Sequence, residues 1–150
     1  MLDIYVDADG CPVKQEIYRV AGRYGLTTIL VANAWMRVPQ TESVKLVLVK
    51  DQFDAADDWI VEHVTANDIV VSADIVLASR CLQKAARVVD PRGRVFTENS
   101  IGEAVAVRNI MSHLRDLGTV TGGPAPLQQR DRSRFLQRLD DLIQAIRQGK

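Results

Sequence analysis

A mainly parallel α/β domain is the fold this sequence predicts. Three observations point to it. Short β-rich runs alternate with segments whose apolar residues recur at helical spacing. The first run, Leu2–Val6, alternates little, as a strand covered on both faces does. At 150 residues and 47% hydrophobic composition, the chain suits one domain, residues 1–150, with a full core.

The elements follow in order. Leu2–Val6 reads as a strand that runs into the loop Asp7-Ala8-Asp9-Gly10. Pro12 suits the first turn of a helix carrying Ile17, Val20, Ala21 and Tyr24, and Gly25 stops it. Thr27–Ala32 is the second strand, Asn33–Ser43 a polar loop with Pro39, and Val44–Val49 the third strand. Asp54 opens a short helix with Trp59, Ile60 and Val64. Asp68–Ser72 is the fourth strand, and a helix runs from about Asp74 to Lys84. Arg87–Val89 is a fifth strand, and Val95–Thr97 adds a hairpin partner. The next helix puts Ala104, Val107, Met111 and Leu114 on one face. Residues 118–150 read as a linker, richest in Gly and Pro over Gly118–Pro126, followed by a C-terminal helical extension. That helix spans about Asp131 to Gln148, with the stripe Phe135, Leu139, Leu142 and Ile146 widened by Leu136 and Ile143. The stripe permits docking on this chain or pairing with a second copy as a homo-oligomer.

Composition narrows the function. No apolar run reaches the roughly 18–20 residues of a membrane span, so no membrane partner is expected. The opening residues carry no basic segment or cleavable apolar stretch, so a secretory leader is not expected. Two distant cysteines, Cys11 and Cys81, exclude a disulfide scaffold and a four-cysteine zinc site, and a cytoplasmic setting is the simplest. The formal net charge is zero but unevenly spread: residues 1–75 hold 6 Lys+Arg against 12 Asp+Glu, and residues 76–150 hold 13 against 7. Eleven of the 13 cations in the second half are arginine, whose planar fork matches phosphate oxygens.

The acids carry the chemistry. Asp7 and Asp9 follow the first strand, Asp74 follows the fourth, and Asp54, Asp57 and Asp58 open the intervening helix. In a parallel sheet both strand ends open on one edge, where ligands of such folds gather. Carboxylates brought together repel, and a shared proton or a cation relieves them. Mg²⁺ or Mn²⁺ suits hard oxygen ligands, and one or two such ions serve phosphodiester displacement. Ordinary roles compete: Asp54 and Asp74 are both placed to cap their helices. At about 100° per residue, Ala56, Trp59, Ile60, His63 and Val64 form a core-facing stripe; Asp57 falls at its border and Asp58 faces solvent. Cys11 lacks a matching histidine base for nucleophilic catalysis, and His63 falls on the apolar face. Lys14, one turn into the first helix, is placed to meet a phosphate at the acid cluster or, as is commoner for a lysine, to lie solvated, and Arg130, Arg132 and Arg134 are spaced to touch a polyanion or to lie solvated. Gly122-Gly123-Pro124 lacks the Lys-Ser/Thr of a phosphate loop and reads as a turn.

These residues resemble a known family. Asp7-Ala8-Asp9-Gly10-Cys11-Pro12-Val13-Lys14 is similar to the start of the YaiI/YqxD family of uncharacterised bacterial proteins. So are Asp54-Ala55-Ala56-Asp57-Asp58-Trp59-Ile60, Ser72-Ala73-Asp74-Ile75-Val76-Leu77-Ala78, and Thr121-Gly122-Gly123-Pro124 with Asp131-Arg132. Gly10 stands where alanine is the commoner residue. The family is grouped with PIN-like domains, so the resemblance implies a PIN-like three-layer α/β fold with a central mainly parallel sheet and a C-terminal helix. It also implies an acid cluster that binds Mg²⁺ or Mn²⁺, and many such domains cut RNA. Carried over by motif, Asp7 is the first-strand acid, Asp74 the acid after the fourth strand, and one of Asp54, Asp57 and Asp58 the helix acid. Asp90 is the candidate for a late fourth acid, or it shapes its loop with Pro91.

The leading function is a metal-dependent nuclease, with RNA favoured over DNA. Asp7, Asp57 and Asp74 would hold the metal, with Asp9 and Asp54 as outer ligands or orienters. Lys14, Arg92, Arg94 and Arg132 would hold the substrate. Two alternatives stand beside it. One is a non-catalytic nucleic-acid- or protein-binding module with a vestigial metal site. The other is a phosphatase, because Ile4-Tyr5-Val6-Asp7-Ala8-Asp9-Gly10 resembles the opening of haloacid-dehalogenase-like phosphatases. No later Gly-Asp-rich metal motif supports that last reading.

Overall fold

The computed structural model describes residues 2–50, 52, 54–118 and 126–149, with backbone alone at residues 115 and 116. In chain order the elements are β1 (Asp3–Asp7), α1 (Lys14–Tyr24), β2 (Thr27–Ala32), β3 (Val44–Leu48), α2 (Ala55–His63), β4 (Ile69–Val71), α3 (Ile75–Leu82), β5 (Arg87–Val89), β6 (Val95–Phe96), α4 (Glu98–Asp116) and α5 (Gln129–Arg147). The strands form one sheet in the order β3-β2-β1-β4-β5-β6. All pairs are parallel except the β5–β6 hairpin.

Strand order dictates where a site can form. The chain builds outward from β1 to β2 and β3. It then crosses back to add β4 and β5 on the other side of β1. The loops after β1 and β4 therefore diverge to opposite faces and leave a crevice at the carboxyl ends of those two strands. Asp7 ends β1, and Asp74 follows β4 by three residues.

Helices cover both faces, which gives three layers. On one face Ile4 and Val6 of β1 pack with Val13, Ile17 and Val20 near α1 and with Phe135, Leu139 and Ile143 of α5. On the other, Tyr5 packs with Ile60 of α2, Leu77, Ala78 and Cys81 of α3, and Ala104 of α4. This division follows from the two-residue period of a strand. It places Asp7 on the same face as Tyr5, toward α2 and α3.

Local chemistry sets the boundaries. Gly25 ends α1 in the left-handed conformation, with φ 66°, as its place after the apolar stripe predicts. β4 is shorter than Asp68–Ser72 because the flanking residues serve other bonds. Asp68 accepts from the backbone N–H of Asp3 at 2.9 Å and from the N–H and hydroxyl of Thr65, each at 2.9 Å. Ser72 turns toward Asp7. Asp90 receives the backbone N–H groups of Arg92 and Arg94, each at 2.9 Å, and so shapes the β5–β6 turn.

Two expectations need correction, and one open alternative is decided. His63 is exposed, outside the core: it lies at the last turn of α2 and stacks on Trp59 with ring centroids 3.8 Å apart. The stripe of α4 is buried only at Ala104; Val107 is 53% exposed, and Met111 and Leu114 are half-buried. α4 rests on α3, and Ala104 and Ile101 are its residues that pack with the α3-side core. Of the two places open to the α5 stripe, the structure shows the first: Phe135, Leu139, Leu142 and Ile143 pack into the α1-side core of their own chain, with Leu136 and Ile146 partly buried against it. Residues 119–125, which hold most of the Gly/Pro linker and the Thr121-Gly122-Gly123-Pro124 motif, lie outside the described residues.

The β5–β6 turn meets α5 closely. Gly93 has φ 87°, and a Cβ placed on it would stand 2.9 Å from Cγ of Arg134 and 3.0 Å from that residue's carbonyl carbon. Gly93→Ala should therefore destabilise the protein by about 2 kcal/mol, through left-handed strain and overpacking. Chemical denaturation of the two proteins measures it.

Candidate functional site

β1 is apolar from Ile4 to Val6, and at the carboxyl edge of the sheet it ends in a carboxylate. Asp7 is half-buried, and one of its oxygens (Oδ2) accepts the Ser72 hydroxyl at 3.1 Å. The parallel register explains this contact: Val6 pairs with Val71, so the next residues, Asp7 and Ser72, lie side by side. The Ser72 oxygen also accepts the backbone N–H of Asp74 at 3.0 Å. One serine thus ties the acid of β1 to the acid after β4.

Asp74 caps α3. Its Oδ1 accepts the N–H groups of Val76 at 2.9 Å and Leu77 at 3.1 Å. Capping and cluster membership coexist here, because a carboxylate has a second oxygen to offer. Asp57, in the first turn of α2, forms a hydrogen bond with the Asp74 carboxyl. Asp54 sits at the N-cap position of α2 with φ 62°, and its side chain makes no cap bond. Asp58 points away and pairs with Arg80 at 2.9 Å, as the helical angle predicts. Asp9, on the loop after β1, accepts the backbone N–H of Asn33 at 2.8 Å, which joins that loop to the end of β2.

The acids also act on one another through their charges. Burial pushes the Asp57 carboxyl up to about 7, and the charges of Asp74, Asp7 and Asp54 and the hydrogen bond with Asp74 push in the same direction. Burial also raises Asp7, the Ser72 hydroxyl opposes that shift, and the charges of Asp74 and Asp9 add to it. Among the described residues no ion pair relieves Asp7, Asp54, Asp57 or Asp74. Their donor set is hard carboxylate oxygen, the kind that Mg²⁺ and Mn²⁺ take. No group of three His, Cys, Asp or Glu placed to hold an ion is present among the described residues. The acids meet instead as an Asp57–Asp74 pair with Asp7 held beside it by Ser72.

The surface around the acids is grooved. A small cleft of about 100 Å³ is lined by Asp7, Asp9, Gly10, Ser72, Asp74 and Pro91, among others. It shares Ala73 and Asp74 with a larger cleft of about 660 Å³, which Arg94, Glu103 and Arg108 line from β6 and α4. On the other side it shares Gly10 and Pro91 with a cleft reaching Asp90 and Arg92.

The cations expected to hold substrate divide. Arg94 lines the larger cleft and lies over the Phe96 ring at 5.2 Å. Arg92 lines the Asp90 side and also pairs with Asp131 at 3.2 Å. Lys14 donates to the Cys11 carbonyl at 2.9 Å. Arg132 donates to the Pro12 carbonyl at 2.7 Å and to Glu16 at 3.0 Å, which fastens α5 to α1. Sequence reasoning gave no role to Ser72, Asn33 or Arg108. Ser72 carries a signal in hindsight, a hydroxyl two residues before a strand-end acid. Arg108 carries none, because only the packing of α4 brings it to the cleft.

Comparison with known proteins fits these blocks. A family described as uncharacterized, YaiI/YqxD, matches residues 5–145. A UPF0178 protein of Rhodospirillum centenum is 54% identical, with both chains covered in full. One of Paramagnetospirillum magneticum is 51% identical over 95% of each chain. One of a Bradyrhizobium species is 51% identical over 99% of this chain and 91% of its own. No solved structure matches the chain.

The raised Asp57 carboxyl has a pH signature. The folded protein binds that proton more tightly than the unfolded chain between pH 3.8 and about 7. Stability from this group is therefore present at low pH and is lost as pH rises through that window. Asp57→Asn should stabilise the apo protein at pH 8 by about 1 kcal/mol, since solvent screens a half-exposed group. The gain should vanish near pH 4. Thermal melts at the two pH values give the comparison.

Proposed function

Because the chain belongs to the YaiI/YqxD family, whose description assigns no activity, we propose its function from its own geometry together with the resemblance to PIN-like domains: a divalent-metal-dependent nuclease, with RNA favoured by that resemblance. The observation that carries the reading is the convergence of Asp7, Asp57 and Asp74 at the strand-order switch point, with charges unrelieved by any ion pair among the described residues.

Asp7, Asp57 and Asp74 would hold Mg²⁺ or Mn²⁺. When bound, such an ion supplies Lewis acidity toward phosphodiester oxygens and toward attacking water. The remaining work falls to the chain itself. Ser72 fixes the orientation of Asp7 and leaves its second oxygen for the ion. The α3 cap does the same for Asp74, since both capping bonds reach Oδ1. Asp57 has its carboxyl raised to about 7 and would have to release its proton for a cation to be held there. Asp54 adds negative charge at the rim. Asp9 braces its loop against Asn33. Arg94 and Arg108 offer planar forks to phosphates in the adjoining cleft. The helices give no sign of a membrane role: none among the described residues is long and apolar enough to cross one.

The absence of a ready three-acid cage gives the non-catalytic module its one supporting observation. Calorimetry separates the readings. The native chain should bind Mn²⁺ about tenfold more tightly at pH 8 than at pH 6, because Asp57 must lose its proton. Asp7→Asn should abolish binding together with any cleavage of RNA. Ser72→Ala should weaken binding by roughly 10-fold, as loss of a group that orients a ligand does. Metal affinity and cleavage left unchanged by Asp7→Asn would sink the nuclease assignment. Salt-sensitive RNA binding with neither metal uptake nor cleavage would favour the module.

A further inference from the structure

Among the described residues Trp35 is the most exposed large apolar side chain, at 71%. Its position is fixed on both sides. Two residues before it, the Asn33 N–H is held by Asp9 of the acid loop at 2.8 Å. Just after it, Met36 and Val38 pack against the α1-side core. The indole is thus held out in water between two anchors, although burying so large a ring is favourable. The other tryptophan, Trp59, is half-buried and stacked on His63. Trp35 also has a meaningful place in the sheet. It follows β2, the neighbour of β1, at the carboxyl edge where Asp7 lies. On the far side of the acids, past β4, the cleft of Arg94 and Arg108 opens.

We propose that Trp35 stacks an unpaired base, and that the carboxyl edge takes a single-stranded nucleic acid running from Trp35 across Asp7 and Asp74 toward Arg94 and Arg108. An open indole face accepts any base, whereas a duplex keeps its base faces covered. Arg37, two residues on, is exposed as well. The inference rests on the nuclease reading for the presence of a phosphodiester at the acids, and it narrows the substrate to unpaired strands. A single stacking residue also suits a chain with only 5% aromatic residues.

The test uses fluorescence and a labelled strand in metal-free, low-salt buffer. The chain has two tryptophans, so Trp59→Phe leaves Trp35 as the only one. A short uridine oligonucleotide should quench its emission saturably, and a blunt duplex should not. By polarisation of the same oligonucleotide on the otherwise native chain, Trp35→Ala should weaken binding about tenfold, the usual loss of one base stack. Trp35→Phe should stay close to native. Unchanged emission, or equal affinity for native and Trp35→Ala proteins, overturns the proposal. So does Trp35 emission that shifts only with a protein partner. Failure of the nuclease reading would be seen elsewhere, in Mn²⁺ binding and cleavage. Quenching without metal uptake would leave the stacking residue standing. Metal-dependent cleavage indifferent to Trp35→Ala would leave the nuclease without it.

Discussion

The pairing of β1 with β4 is the constraint on which the rest of the molecule depends. Ile4, Tyr5 and Val6 lie beside Ile69, Val70 and Val71, and all six side chains are buried. Burial of that much apolar surface, at about 25 cal/mol per Å², locks the register. A slip by one residue would turn Asp7 and the whole of β1 to the wrong face. The register in turn sets Asp7 beside Ser72 across 65 positions of sequence. The candidate site is thus held by the core beneath it, and its own polar contacts only orient what the core has delivered.

The second support is α5. Its apolar stripe closes the α1-side core, while its polar face is stitched to α1 by Arg132–Glu16 at 3.0 Å and Arg23–Asp140 at 2.6 Å. Tyr24 also donates to Asp140 at 2.7 Å. At its start, Asp131 accepts the backbone N–H of Gln128 at 2.8 Å and pairs with Arg92, which draws the β5–β6 turn down onto the helix. The Arg-rich second half is therefore only partly a surface for polyanions. Several of its arginines answer acids inside the fold, as the opposite charges of the two halves permit.

The acids carry the opposite economy. Asp58, Asp131 and Asp140 each have an arginine, whereas Asp7, Asp57 and Asp74 have hydroxyls, backbone amides and one another. Burying carboxylates and grouping them without counter-charge both work against folding, and the raised Asp57 carboxyl carries the mark of both, burial first. Such local conflict in an otherwise consistent fold is characteristic of functional sites.

The sequence alone determined much of this. β-rich runs located β1, β2 and β5 almost to the residue, and Gly25 located the end of α1, because these signals are local; α1 starts at Lys14, so Pro12 lies just before the helix and not in its first turn. Helical angle alone separated Asp57 from Asp58. Only the tertiary structure decided the rest. His63 and Val107 fit apolar stripes but remain exposed, because burial depends on whether a neighbour covers the side chain, and among the described residues none covers these two. Whether the α5 stripe faces its own core or a second copy depends on the same kind of fact. Ser72 as the tie between two acids, and Arg108 beside their cleft, depend on which strands are neighbours. That order is set by burial summed over the whole sheet, and no local pattern encodes it.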